Sequence, residues 1–503
     1  MKVIPLIFLV LVFFCQPEIF AQNQAGSVDV SGKDSLFYAL CHSHGQLSSD
    51  EFFQFKGKLN RIIDEIKANK NFQKSEEHRI KLIYSKVHEN LLNKYEFEAL
   101  FSDLIRKGVY NCVTGSALYA CVLDGLQVPY RIKLLPNHVF LVAYPDSKPI
   151  KVEVTTPNEG TVNYNESYRK NFVNYLVSYK LISKSEFTEK SVDQLFKENF
   201  DKDESISFEA LIGVQCFNQA LYSLDKENLS EAFINIEKAA KYYPCPKTKV
   251  MFNGIAAKLI LEHRYKDPKE DLGLLIKMLQ NDSSESLSNM VIDEYGIFTN
   301  RMQERGDLNG YSTSSEWFIT QLNDSLVKAK ISQIYYFEKA RQHYLLSDFG
   351  AAINYAEKAY GLNPENANCE AILTESIARS LGKLSNVEKL ADTLESYSIR
   401  HPKLLGNVAF ISMLGSAYLY GSMMNFESGK VKTGEKYRQL FENMVKPGQS
   451  FNIEEQLIIQ YYTSLCFQYY RVGQQGAAVK ALQTDLKYVP NEPSLMRRLN
   501  SIR

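Results

Sequence analysis

The sequence predicts an α+β N-terminal domain, a helix packed on a small antiparallel sheet, followed by an all-α helical-repeat solenoid. Three observations lead there. Apolar residues recur at helical spacing up to about residue 107 and again from about residue 208 onwards. One stretch, 128–156, carries the strand period instead. After residue 208 an Ala-to-Pro interval of 12 residues occurs three times.

Composition narrows the function classes. The 503 residues are 45% hydrophobic and 23% charged, which excludes a disordered or collagen-like chain. Lys plus Arg and Asp plus Glu are both 58, so no global basic field gathers nucleic acid, and no nucleic-acid partner is expected. The aromatic residues are 31 Tyr, 29 Phe and one Trp, a mix that suits packed helices with wet rims.

The first 21 residues read as a secretory signal. Lys2 precedes a nearly unbroken apolar run, 3–14, and a polar stretch then leads to Ile19-Phe20-Ala21. Cleavage after Ala21 makes the mature chain secreted or periplasmic. The competing reading is an uncleaved anchor, for which about 12 apolar residues are short. Cys15 follows Phe14, where a lipidation signal needs a small residue. No later segment reaches a membrane-spanning length, so no transmembrane segment is expected in the mature chain.

Helical spacing marks Phe52, Phe53, Phe55, Leu59, Ile62, Ile63 and Ile66, then Ile80, Ile83, Val87 and Leu91. Gly108 breaks that pattern. Residues 111–126 form a helix of small residues, which lets other backbone approach closely. Strands are predicted at 130–135, 139–144 and 150–154, with a turn at Pro145-Asp146-Ser147-Lys148 between the last two. Helices resume near Tyr164. The acidic stretch 197–207 is the expected boundary, giving a signal at 1–21, a first domain at 22–200 and helical repeats at 208–503.

In those repeats Ala232 precedes Pro244, Ala352 precedes Pro364 and Ala478 precedes Pro490. A small Ala permits close helix crossing, and a Pro cannot continue the helix. Four and seven residues after the Ala come Ile236 and Ala239, Ala356 and Ala359, and Leu482, with Asp485 as the exception. This register resembles the tetratricopeptide repeat, with Ala220, Ala340 and Cys466 where its usual Gly stands. Roughly four to seven degenerate helix pairs are expected, presenting a surface to a protein or peptide partner.

Eight cysteines, seven once Cys15 is removed, form neither a disulfide framework nor a CxxC pair. At least one thiol stays free. Cys112 follows Asn111 at a helix start, where backbone N–H groups favour a thiolate and could bind an oxyanion. Placing Tyr144 opposite Pro149 across the turn puts Phe140 opposite Glu153 and His138 opposite Thr155. His138, Phe140, Lys151, Glu153 and Thr155 then share one face. Glu153 can orient the His138 imidazole, which can take the Cys112 proton. Each residue also has an ordinary reading: a core cysteine, a strand-end histidine and a solvent-facing glutamate.

Asn111-Cys112, Ala117-Leu118-Tyr119-Ala120, Gly125-Leu126, Val128-Pro129-Tyr130, Pro136-Asn137-His138-Val139 and Val152-Glu153-Val154-Thr155-Thr156-Pro157 resemble the core of the transglutaminase-like superfamily. The resemblance covers about residues 75–165. It implies a papain-like fold with Cys112 as nucleophile, His138 as base and Glu153 as the acid that holds the imidazole. It departs from the superfamily in three ways: Glu replaces the usual Asp, Val113 replaces the aromatic of crosslinking members, and no acidic calcium loop is present. It therefore implies thiol chemistry rather than protein crosslinking. Bacterial envelope proteins that join such a domain to tetratricopeptide-like helices are similar in overall plan.

Other signals are weaker. Cys121 reads as a core residue. Cys41-His42-Ser43-His44 could ligate a metal but has no distant partner, and His88-Glu89 lacks the second His of a zinc protease helix. Trp317 follows Thr313-Ser314-Ser315-Glu316, which reads as a capping box. No metal and no cofactor are expected. Two function classes follow. One is an exported thiol-dependent acyl-transfer enzyme, most simply a peptide or amide hydrolase, with a partner-binding solenoid. The other is a non-catalytic scaffold whose N-terminal domain is structural. The mature chain should begin at Gln22; an intact mass that retains residues 1–21 would refute the signal assignment.

Overall fold

The computed structural model describes Tyr38, Leu40 and residues 47–502, apart from 136–137, 156–160, 164–168, 171–172, 175–176, 178–183, 201–204, 383–385 and 447–450. Residues 1–21, read above as a signal, and the Cys41-His42-Ser43-His44 motif lie outside the described residues. The chain divides into two compact units, Met1–Leu287 and Ser288–Arg503.

The first unit begins with α1 (Ser49–Ala68), α2 (Glu76–Leu91), β1 (Lys94–Tyr95), α3 (Phe101–Lys107), β2 (Val109–Tyr110) and α4 (Cys112–Gly125). Ser48 and Glu51 form a reciprocal cap on α1, satisfying two N–H groups that the helix itself leaves unpaired. The apolar stripes of α1 and α2 read from the sequence are buried, Phe52 to Ile66 and Ile80 to Leu91, except for Phe53, which lies off the stripe and is exposed. Gly108 ends α3 at φ 68°, a left-handed conformation in which a side chain is strained.

The strands β3 (Tyr130–Leu135), β4 (His138–Ala143), β5 (Ile150–Val152), β6 (Thr161–Asn163) and β7 (Ser205–Ile206) form one antiparallel sheet, in the order β6-β5-β4-β3-β7. Leu141 pairs with Val152 and Val142 with Lys151, the register that the turn predicted. Two strand features differ from the sequence reading. β5 stops at Val152, so Glu153 lies one residue past the strand. Sheet residues also occur beyond 128–156: β1 pairs with β2 in parallel, and β7 adds to β3 as Ile132 meets Ile206. Pairs this short carry too few alternating residues to be seen as a period.

Helix α4 packs on the sheet through its small residues. A Cβ added at Gly115 would lie 2.8 Å from Val154 Cγ1, so only glycine allows this approach. Ser116 donates to the Val139 carbonyl at 3.3 Å, tying the helix to β4. On the sheet, Phe140 and Val142 form a separate apolar cluster with Val173, Leu195 and Phe196, the last two from α6 (Val192–Phe200), which follows the short α5 (Lys184–Glu189).

From Phe208 the described residues are helical. The first unit holds α7 (Phe208–Asp225), α8 (Leu229–Tyr242), α9 (Pro246–His263) and α10 (Pro268–Asn281). The second unit is built from α11 (Glu285–Glu304), α12 (Leu308–Gln321), α13 (Ser325–Leu345), α14 (Phe349–Leu362), α15 (Ala367–Leu381), α16 (Val387–Arg400), α17 (Val408–Glu427), α18 (Val431–Met444), α19 (Glu455–Arg471), α20 (Gln475–Tyr488) and α21 (Pro493–Ile502). Among the described residues these make seven successive helix pairs and a final helix, a helical-repeat architecture. The helices bearing Ala232, Ala352 and Ala478 all end two residues before their Pro, and all three alanines are fully buried. Ala220 and Ala340 are also fully buried, and Cys466 is buried beside them in kind.

Two readings change here. Trp317 is inside α12, whose cap is Asp307, accepting from the Gly310 N–H; the Thr313–Glu316 segment caps nothing. Asp485 fills the core position that Ala239 and Ala359 occupy elsewhere, fully buried, with neither carboxylate oxygen hydrogen-bonded among the described residues. Burial pushes its carboxyl up to about 7. Replacing Ala352 by Leu should overfill the α13–α14 crossing and cost about 1–3 kcal/mol. An unchanged urea unfolding midpoint would show that the crossing has room.

Candidate thiol site

Asn111 starts α4 and holds it in place. Its Oδ1 accepts from the Thr114 N–H at 2.9 Å, and its own N–H donates to Thr114 Oγ1 at 2.9 Å. Its Nδ2 donates to the carbonyls of Ala99, at 3.0 Å, and Phe97, at 3.1 Å. The buried amide therefore joins the helix start to the segment before α3. Cys112 is the first helical residue and is half-buried. The helix gives the N–H groups of its first turn no carbonyl partner.

The structure brings Cys112, His138 and Glu153 together. His138 opens β4, and its Nε2 lies 3.0 Å from Glu153 Oε1 and 2.9 Å from Oε2. With Nε2 committed, Nδ1 is the nitrogen left to meet the thiol. The imidazole stacks on Phe140 at 6.0 Å between centroids. Burial works against its charge, but the neighbouring Cys112 sulfur and Glu153 overcome this and hold His138 at about 9.

Glu153 is 4% exposed and could not remain ionised unaided. Its Oε1 accepts from the Thr155 N–H at 3.2 Å and from Thr155 Oγ1 at 2.8 Å. Lys151 Nζ sits 2.8 Å from Oε2. Burial would raise this carboxyl, yet the His138 bond and the Lys151 charge hold it at about 2. The shared face was legible in the sequence, but the Lys151–Glu153 ion pair was not identified there. Lysine and glutamate two apart on a strand was the signal that could have revealed it.

Tyrosines line the site. Tyr84 of α2 donates to the Glu153 carbonyl at 3.0 Å. Tyr95 and Tyr222 both lie close enough to Cys112 for a thiolate there to raise their hydroxyls, although burial is the larger cause. Tyr222, on α7, donates to the Phe97 carbonyl at 3.2 Å and Gln215 to the Ala99 carbonyl at 3.1 Å, so α7 buttresses the segment that Asn111 also holds.

Both ring nitrogens of His88 meet tyrosine hydroxyls. The Tyr119 hydroxyl spends its proton on the Tyr84 carbonyl at 3.1 Å, so His88 Nδ1 donates to Tyr119 at 3.1 Å and Nε2 accepts from Tyr110 at 3.3 Å. Burial lowers its pKa, in keeping with a neutral ring. Among the described residues no three His, Cys, Asp or Glu side chains are grouped to hold a metal ion. Cys121 is not a core residue. It is half-buried and lines a cavity of about 770 Å³ with Lys56, Asp124 and Tyr130, at the far end of α4 from Cys112. Cys216, Cys369 and Cys466 are buried, which raises all three thiols, Cys216 to about 12. No described helix is long and apolar enough to cross a membrane.

No protein-family model matches the chain, and no curated protein matches it. The chain is similar to solved helical-repeat structures at very low identity. One is a tetratricopeptide repeat protein from Parabacteroides merdae, 10% identical over 58% of this chain and 98% of that one, with a TM-score of 0.18. Another is a human IFIT1 dimer with PPP-AAAA, 13% identical over 93% of this chain and 89% of that one, TM-score 0.17. A third is Naa15/Naa10 bound to HypK-THB, 8% identical over 90% and 66%, TM-score 0.18. At these scores the likenesses carry no functional argument.

The His138–Glu153 pair fixes a stability profile. His138, raised from 6.5 to about 9, contributes fully below 6.5 and loses its contribution as pH rises towards 9. Glu153, lowered from 4.5 to about 2, contributes above 4.5 and loses its contribution as pH falls towards 2. Urea midpoints should therefore peak between about 4.5 and 6.5. His138→Ala should flatten the decline above 6.5; a decline that persists unchanged would assign it to other groups.

Proposed function

We propose that the protein is exported and that its first unit is a thiol-dependent acyl-transfer enzyme, most simply a peptide or amide hydrolase. The observation that carries this reading is the His138 imidazole, held by Glu153 at 2.9 Å and set beside the half-buried Cys112 at a helix start. Cys112 attacks the carbonyl, and His138 takes the thiol proton and returns it to the leaving amine. Water, deprotonated by His138, then cleaves the thioester to release the acid and restore the thiol. Glu153 orients the ring throughout. In this reading the Cys112 and Val113 N–H groups meet the developing oxyanion, that of Thr114 being held by Asn111 Oδ1. The helix pairs supply a surface for a protein or peptide partner.

A second reading, a scaffold without catalysis, is favoured by one feature of the second unit. Tyr420 and Met424 on α17, and Phe467 and Tyr470 on α19, leave 44–55% of their surface exposed. Large exposed apolar side chains suit a partner interface. In that reading the first unit keeps its charged pair as structure.

Iodoacetamide labelling separates the two. Cys112 should be alkylated first, His138→Ala should slow it at least about tenfold, and Glu153→Gln should slow it less, because the carboxylate moves no proton. Alkylation of Cys121 or Cys41 ahead of Cys112, or a Cys112 rate indifferent to His138→Ala, would refute the enzymatic reading.

A further inference from the structure

Lys151 is a buried cation on the same face as the thiol site. It is 8% exposed, and its ammonium lies 4.7 Å from the Phe140 ring centroid, the ring on which His138 also stacks. Its Nζ meets Glu153 Oε2 at 2.8 Å, the same oxygen that His138 Nε2 approaches at 2.9 Å. One carboxylate thus serves two cations, while Thr155 holds its other oxygen twice.

We propose that Lys151 is a positioning residue of the thiol site, which shares the Glu153 carboxylate with His138 and thereby weakens its hold on the imidazolium. The proposal rests on the thiol-site reading above. Its logic is electrostatic. A half-buried imidazole between a thiolate and an undivided carboxylate would be locked in its charged form. A base is most effective when it can give up and regain its proton near the working pH. Lys151 supplies a second positive charge, so that Cys112, His138, Glu153 and Lys151 in their ionised forms alternate in sign and sum to zero. Removing the ammonium leaves that row with a net negative charge, which strengthens the hold on the His138 proton. The carboxylate stays in place, because Thr155 still fixes Oε1.

A second buried cation, Lys133 of β3, stands opposite Phe140 on the same face and is 7% exposed, but the ion partners of Glu153 among the described residues are His138 and Lys151. The remaining groups around the row do not supply this charge. Tyr84 from α2, Tyr110 from β2, Tyr95 from β1 and Tyr222 from α7 all have hydroxyls raised above their ordinary value by burial, so they remain neutral. His88 on α2 is pushed down by burial. On α6, which packs on Phe140, Asp193 pairs with Arg169 and Glu198 with Lys190. Glu96 and Glu98, near Tyr95, pair with Lys94 and Lys226.

The test is a histidine NMR titration of the full chain carrying ¹³C-labelled imidazoles, with the His138 signal identified by its loss in His138→Gln. Lys151→Met should move the His138 midpoint up by about one pH unit, a tenfold tighter hold on the proton. Lys151→Arg, which keeps the charge, should stay near the wild type. If Lys151→Met does not fold, Lys151→Gln carries the same expectation. A wild-type midpoint near 9 that either neutral variant leaves in place, or moves down towards 6.5, overturns the role of Lys151 and leaves the thiol site standing. A wild-type midpoint near 6.5 overturns both.

Discussion

A carboxylate inside a protein is tolerated only when donors replace the water it has lost. Glu153 meets that condition with an imidazole, an ammonium, a hydroxyl and a backbone N–H, all on one side chain. Much of the first unit is arranged around that requirement. The β4–β5 register must bring His138 and Lys151 to the same face. The chain must leave the strand after Val152, so that the Thr155 N–H can turn inward. Helix α4 must come close enough to the sheet for its first residue to reach the imidazole, and Gly115 against Val154 makes that possible. A register slip of one residue would separate the charges and leave each of them buried alone.

The hairpin was legible because a strand's period and a four-residue turn leave little freedom: once Tyr144 is set against Pro149, the partners of His138 and Glu153 follow. The buried stripes of α1 and α2 were legible for the same reason, since a helix repeats its faces. Asn111 announced the start of α4, being a good cap before a run of small residues. The site's remaining features come from contacts distant in sequence. Gln215 and Tyr222 reach the segment at 97–99 from more than a hundred residues away, and nothing local marks them as wall residues. The Cys121 reading failed because Val122 and Leu123 beside it are buried, while its own side of the helix looks onto a cavity.

Repeats are read by position, and their exceptions inform as much as their matches. Asp485 broke the apolar pattern, and pattern alone would move it to the surface. Packing overrides that expectation: the residue seven beyond the buried Ala478 faces inward whatever its chemistry. The structure accommodates it as a carboxyl held closer to neutrality, not as a paired ion. Trp317 teaches the reverse lesson. Thr313, Ser314 and Ser315 have the composition of a helix start, yet Asp307 had already begun the helix, and Ser315 is instead a buried acceptor for the Tyr295 hydroxyl at 2.8 Å.

Helix α7 belongs to two structures at once. It is the first member of the helix pairs, and through Gln215, Tyr222 and the Lys226–Glu98 ion pair it is also fastened to the chain leading into the thiol site. Anyone dissecting the protein into fragments meets the consequence directly. A fragment ending at residue 200 keeps all three residues of the candidate site but loses β7 and this buttress, exposing apolar surface on α4. Such a fragment tests a damaged molecule. A cut beyond Asn281, after α10, follows the grain of the protein and lets the chemistry of the first unit be studied with its wall intact.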